Sequence, residues 1–145
     1  MEIREIMTEN PVCCVSETNL EEVARMMAEN DCGAIPVVED QERWKPMGIV
    51  TDRDIVLRAV AEGKNPLDMN AEEVMSQGPV SVRQDSNVEE CVREMESHQL
   101  RRILVVDKGG SCVGIVSMGD IALHRGGQET VEVVGEVSRP STPDR

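Results

Sequence analysis

The 145-residue chain is expected to fold as an α+β pair of homologous half-domains, each β-α-β-β-α, and three observations carry that expectation. Met7, Pro11-Val12, Leu20, Met27 and Val37-Val38 return as Met75, Pro79-Val80, Val88, Met95 and Val105-Val106, each 68 positions on (7 to 75). Gly48-Ile49-Val50-Thr51 returns as Gly114-Ile115-Val116-Ser117, and Asp54 as Asp120, 66 positions on (54 to 120), so the first copy holds two extra residues between Val38 and Gly48. The apolar spacing also switches between strand-like and helical periods at the same places in both copies.

In order along the chain, short strands are expected at 12–15 and 80–82. Each runs into a helix whose apolar residues step by three and four: Leu20, Val23, Met27 and Val88, Cys91, Met95. Thr18-Asn19-Leu20-Glu21 and Ser86-Asn87-Val88-Glu89 fit a capping box with Thr18 and Ser86 as caps. Two β-branched strands follow in each copy, Ile35-Pro36-Val37-Val38 then Gly48-Ile49-Val50, and Ile103-Leu104-Val105-Val106 then Val113-Gly114-Ile115-Val116. Lys108-Gly109-Gly110-Ser111 forms a tight hairpin, and closing helices are expected at 52–62 and 119–125, the second stopped by Gly126-Gly127. The domain reading is a first repeat with its N-terminal lead-in at 1–66, a second repeat at 67–125, and a short C-terminal helix with a disordered tail at 126–145. A unit of about 60 residues has a thin core, so the two are expected to pack as one pair.

Composition excludes several function classes. With 28 acidic against 15 basic residues the net charge is −13, which repels nucleic-acid phosphates, and with no Phe or Tyr and a single Trp no base-stacking platform exists. No apolar run is long enough for a membrane span, and the charged start Met1-Glu2-Ile3-Arg4-Glu5 does not read as a secretory leader. Five Cys without C-x-x-C spacing and two His do not make a zinc set, so no metal site is expected; reduced thiols fit a cytoplasmic protein. Adjacent Cys13 and Cys14 should point to opposite faces of their strand, one to the core and the other to the cleft or solvent, with a redox switch there as an alternative. No nucleophile with a base and no Gly-rich catalytic phosphate loop is present, so no catalytic residue is assigned and the chain is expected not to be an enzyme.

The repeated phrases Gly48-Ile49-Val50-Thr51-Asp52-Arg53-Asp54 and Gly114-Ile115-Val116-Ser117-Met118-Gly119-Asp120 put a hydroxyl at a strand-to-helix junction and a carboxylate three residues later. Two readings fit. The spacing suits an N-terminal helix cap. It also suits a site where a hydroxyl and free helix N–H groups meet a phosphate while the carboxylate accepts from a ribose diol, with Gly48 and Gly114 either allowing close backbone approach or marking a strand bulge.

These residues resemble the tandem cystathionine-beta-synthase (CBS) domain, whose repeats end in Gly-hydrophobic-x-Thr/Ser-x-x-Asp/Asn; the likeness spans about residues 3–125. It implies a Bateman module, two repeats packed as a pseudo-twofold pair that bind adenosine nucleotides. By that resemblance Asp54 and Asp120 hold ribose hydroxyls, Thr51 and Ser117 touch phosphate, and Val12, Cys13, Ile35, Val80, Ser81 and Ile103 grip adenine. Arg101 and Arg102 stand where the family often carries a phosphate-binding basic pair. Copy one has Gly33 and Ala34 there, with Arg53 as its own cation. The implied function is a sensor of AMP, ADP or ATP needing no cofactor, acting as a homodimer and on a protein target; the alternatives are a ligand-free dimerisation scaffold or a detached regulatory subunit of an enzyme or transporter. The dimer is expected to bury Ile55, Val56, Ala59, Val60, Ile121 and Ala122.

Overall fold

A computed structural model describes residues 1–126; the helix and tail expected beyond Gly126 lie outside them. Among the described residues the order is β1 (Thr8–Glu9), α1 (Leu20–Asn30), β2 (Ala34–Val38), β3 (Pro46–Thr51), α2 (Asp52–Ile55) widening into a π-helical turn (Val56–Val60), β4 (Ser76–Gln77), β5 (Ser81–Arg83), α3 (Val88–His98), β6 (Arg102–Val106), β7 (Cys112–Ser117) and α4 (Met118–Gly126). Short 3-10 turns lie at Ile3–Glu5, Pro66–Asp68 and Ala71–Glu73. The fold is α+β, with one sheet and its helices for each repeat.

The helical stripes fall as their spacing requires: α1 buries Leu20, Val23 and Met27, and α3 buries Val88, Cys91 and Met95. Both caps sit one residue later than the sequence suggests. Asn19 Oδ1 accepts from Glu22 N (2.8 Å) and Asn87 Oδ1 from Glu90 N (2.8 Å), while Thr18 Oγ1 instead accepts from Val15 N in the preceding turn. The extra residues of copy one sit in the β2–β3 hairpin, where Asp40 Oδ1 accepts from Arg43 N and Glu42 N; those bonds hold the Asp40 carboxyl below its usual range.

The strand expected at 12–15 shrinks to a single parallel bridge between Cys14 and Val37. Pro36 is the reason. Cys14 N donates to Pro36 O (2.9 Å) and Val38 N to Cys14 O (2.8 Å), but extending the ladder towards Val12 needs an N–H at position 36, which proline lacks. Leu104 holds the equivalent place in copy two; its N donates to Val80 O (3.4 Å), and there β5 forms against β6.

The compact units in space divide the chain differently from its repeats. One unit joins Met1–Pro11 to the described residues from Val80 onward, with strand order β1-β7-β6-β5; the other is Val12–Pro79, with order β2-β3-β4. Each lead-in thus completes the other repeat's sheet: β1 pairs with β7 and β4 with β3. Supporting bonds recur 68 positions apart, Leu20 N to Met69 O and Ala71 N to Thr18 O in one unit, Val88 N to Met1 O and Ile3 N to Ser86 O in the other.

Each unit has its own aliphatic core, one around Leu20, Val23, Ile35, Val37, Val50 and Val74, the other around Ile3, Met95, Ile103, Val105, Val116 and Ile121. Cys13 and Cys14 are both buried, so neither faces solvent, and only Cys14 joins the core cluster. Burial pushes the Cys14 thiol up to about 12 and, with the Glu94 charge, the Cys91 thiol up to about 11. Both therefore hold less thiolate at neutral pH than an ordinary cysteine. Because both values lie above the ordinary 9.0, these thiols contribute stability below pH 9 that is lost as pH rises from there through about 11 to 12.

Candidate functional site

Both repeated phrases form the same strand-to-helix junction, each within its own unit. Thr51, the last residue of β3, is extended, and its Oγ1 accepts from Asp54 N (3.1 Å) while Asp54 Oδ2 accepts from Thr51 N (2.9 Å). At the end of β7, Ser117 Oγ accepts from Asp120 N (3.0 Å) and Asp120 Oδ2 from Ser117 N (2.9 Å). The reciprocal bonds satisfy two otherwise free backbone donors, so capping is realised in both copies. It engages only Oδ2 of each half-buried carboxylate. A carboxylate has a second oxygen with its own lone pairs, so capping the helix and accepting from a ligand hydroxyl are compatible.

The neighbouring strand brings the other candidates to the same edge. Register sets Ala34 opposite Thr51 and Ile35 opposite Val50 in one unit, and Arg102 opposite Ser117 and Ile103 opposite Val116 in the other. The first helical N–H then crosses to that strand, Asp52 N to Gly33 O (3.0 Å) and Met118 N to Arg101 O (2.7 Å). Residues 33–34 and 101–102 are therefore equivalent in geometry as well as in sequence. Arg53 and Arg101 are exposed and Arg102 half-buried. Sequence reasoning passed over Asp52, a second acid in the first turn of α2 where copy two has Met118; its position directly after the cap was the available signal.

Not every candidate offers surface to a ligand. Ile35 and Ile103 are enclosed in their cores, 0% and 1% exposed, and Cys13 is buried, whereas Val12 and Val80 are half-buried and Ser81 is exposed. Gly48 and Gly114 lie three residues before the hydroxyl, and the structure gives them a packing role. A Cβ on Gly48 would fall 2.6 Å from Ser76 O and 2.8 Å from Met75 Sδ; one on Gly114 would run into Met7 Sδ and stand 3.1 Å from Thr8 O. The missing side chain makes room for the exchanged lead-in.

Two successive matches to the CBS domain model, over residues 3–60 and 71–126, cover most of the chain. The chain belongs to the CBS domain family. It is 43% identical over 121 residues to the YlbB protein of Bacillus subtilis, covering 83% of this chain and 80% of that one. It is 37% identical over 118 residues to a Methanopyrus kandleri protein, 81% of this chain but only 57% of that longer relative. Among solved structures, Hypoxic Response Protein I with two coordinated zinc ions matches at TM-score 0.74 and 35% identity, covering 86% of this chain and 98% of that one. A Pyrobaculum aerophilum CBS domain protein complexed with AMP matches at TM-score 0.75 and 30% identity (83% and 89%). The CBS domain pair of MJ0100, in complex with 5′-methylthioadenosine and S-adenosylmethionine, matches at TM-score 0.78 and 26% identity (89% and 98%). Among the described residues of this chain, no group of three or more His, Cys, Asp or Glu is arranged to hold a metal ion, and no helix is long and apolar enough to cross a membrane.

Proposed function

We propose that this CBS pair is a non-catalytic regulatory module that binds adenosine-containing ligands, AMP, ADP, ATP or a relative, and passes occupancy to a protein target by shifting a conformational equilibrium. Asp54 and Asp120 accept the ribose hydroxyls, Thr51 and Ser117 lie towards the ligand's 5′ side, and Val12 and Val80 present apolar surface to adenine. The observation that carries this reading is the duplicated junction, in which a half-buried carboxylate caps its helix through one oxygen and keeps another to accept. The relatives with AMP, S-adenosylmethionine and 5′-methylthioadenosine support the ligand class. Five cysteines, none of them in a disulfide, suit a cytoplasmic setting.

A thermal-shift series with AMP, ATP and S-adenosylmethionine tests the reading, because a ligand that binds only the folded chain stabilises it by about 2.7 kcal/mol at a hundredfold excess over Kd. A rise of several degrees with at least one of them is expected. A folded chain that none of them stabilises at millimolar concentration instead supports the scaffold reading, for which the completed caps suffice.

The same reading includes a homodimer. Ala59, Ile121 and Ala122 are already buried and Ile55 is packed on its core, but Val56 (54%), Leu57 (46%) and Val60 (57%) remain exposed on the π-helical turn, as does Leu123 (66%) on α4. A second copy covering these residues removes apolar surface from water. Light scattering is expected to give twice the 16.0 kDa chain mass, and Val60→Glu to return it towards 16.0 kDa. A wild-type monomer at micromolar concentration overturns the assembly.

A further inference from the structure

We propose that Arg58 is a positioning residue that couples occupancy of the Asp54 junction to residues 71–77, the second repeat's lead-in; this rests on the reading of Asp54 as a ribose acceptor. In a chain with 28 acidic residues, Arg58 directs its guanidinium at backbone oxygens: Nη1 donates to Val74 O (3.0 Å) and to Met75 O (3.1 Å). These bonds tie the closing helical run of the first repeat to the end of the 3-10 turn Ala71–Glu73. Arg58 stands about one turn after Asp54 on that run, which continues unbroken from Asp52 to Val60.

The same segment is held from a second direction. Ser76 and Gln77 pair with Ile49 and Gly48 of β3, and Met75 lies against Gly48. Because β3 ends at Thr51 and the helical run begins at Asp52, residues 71–77 span two arms whose corner is the candidate site. A ligand that shifts or stiffens the helix against the strand therefore acts on the lead-in through both arms. The π-helical turn around Arg58 favours a switch over a gradual bend: Ala61 N donates to Val56 O (2.8 Å), and a return to α spacing moves such a bond by one whole residue. Beyond Gln77 the chain passes Gly78 and Pro79 and becomes β5, so the lead-in is also the covalent connection to the other unit.

The other unit is braced differently. The position 66 residues after Arg58 (58 to 124) is His124, and the next residue, Arg125, ties α4 to α3, its Nη2 standing 3.0 Å from both carboxylate oxygens of Glu89. That brace joins two helices of one repeat. Among the described residues, the closing helix tied to a lead-in by side-chain hydrogen bonds is therefore the one that starts at the Asp54 site.

Hydrogen exchange on the full chain, with AMP and with 5′-methylthioadenosine as probes, reads the coupling. A bound probe should slow exchange at 51–54 and also, by about fivefold or more, at 74–77, the low end of the usual coupling between sites. Asp54→Asn should abolish the protection at 74–77, and Asp120→Asn should leave it. Arg58→Met keeps the aliphatic stem and removes the donors, so protection should persist at 51–54 and vanish at 74–77. Arg58→Lys, which can still donate to a carbonyl, should restore part of it. A bond that only stabilised the fold would raise the exchange of the free Arg58→Met chain at 74–77 yet leave the ratio of free to bound rates unchanged. That unchanged ratio overturns the coupling and leaves the adenosyl reading intact. So does a wild-type chain in which a bound probe leaves 74–77 unprotected, a result that needs no variant to fold. A folded wild-type chain that binds neither probe overturns both.

Discussion

Replacing Gly48 with alanine is expected to lower the melting temperature by about 3–10 °C, from an overpacking cost of about 1–3 kcal/mol. The new methyl carbon would lie 2.6 Å from the backbone oxygen of Ser76, an atom that moves only if β4 moves. At Gly114 the principal obstacle is the thioether end of Met7, which can rotate away, and Thr8 O stands farther off at 3.1 Å. Gly114→Ala should therefore cost less than Gly48→Ala. Gly109→Ala, whose nearest neighbour is Asp107 Oδ1 at 3.5 Å, serves as a control within about 0.5 kcal/mol of wild type. Hydrogen exchange should localise the damage, faster at 75–77 in the first variant and at 7–9 in the second. If both variants melt like wild type with unchanged exchange, the lead-ins are not held by these glycines.

The exchange of lead-ins was the least legible feature of the sequence, for a physical reason. Met7 and Met75 recur at matching places in the two repeats, as do Gly48 and Gly114, so residue pattern alone cannot choose which methionine meets which glycine. Repeats, helical stripes and hairpins were legible because they rest on short-range periodicity. The helix caps failed by one residue because the signal is degenerate: Glu21-Glu22 and Glu89-Glu90 supply an acid three residues after either Thr18 or Asn19, and after either Ser86 or Asn87. The asparagine takes the cap while the Thr18 hydroxyl closes the turn before it. At the junctions the hydroxyl, the carboxylate and the strand positions opposite them could all be read from the doubled phrase. That Ile35 and Ile103 would be sealed in the cores could not, because burial depends on both faces of a sheet and strand periodicity reports only their alternation.

Asp54→Ala and Asp120→Ala are each expected to abolish one adenosyl-binding event, since a hydrogen bond to a charged acceptor is worth about 1.5–3 kcal/mol, roughly ten- to a hundredfold in affinity. Alanine also removes the acceptor for Thr51 N or Ser117 N, so part of any effect belongs to the helix start and not to the ligand. Asparagine separates the two. Its amide oxygen can still accept from the backbone N–H while the negative charge that draws the ribose diol is gone, so Asp54→Asn and Asp120→Asn should melt close to wild type and still lose binding. Thr51→Ala and Ser117→Ala test the opposite side of the cap. Losing that hydroxyl costs about 0.5–2 kcal/mol of stability and leaves each carboxylate in place, so a melting loss with retained ribose binding is expected. Were capping the whole purpose of these residues, the alanine variants at all four positions would lower stability alike, and wild-type calorimetry would register no adenosyl ligand.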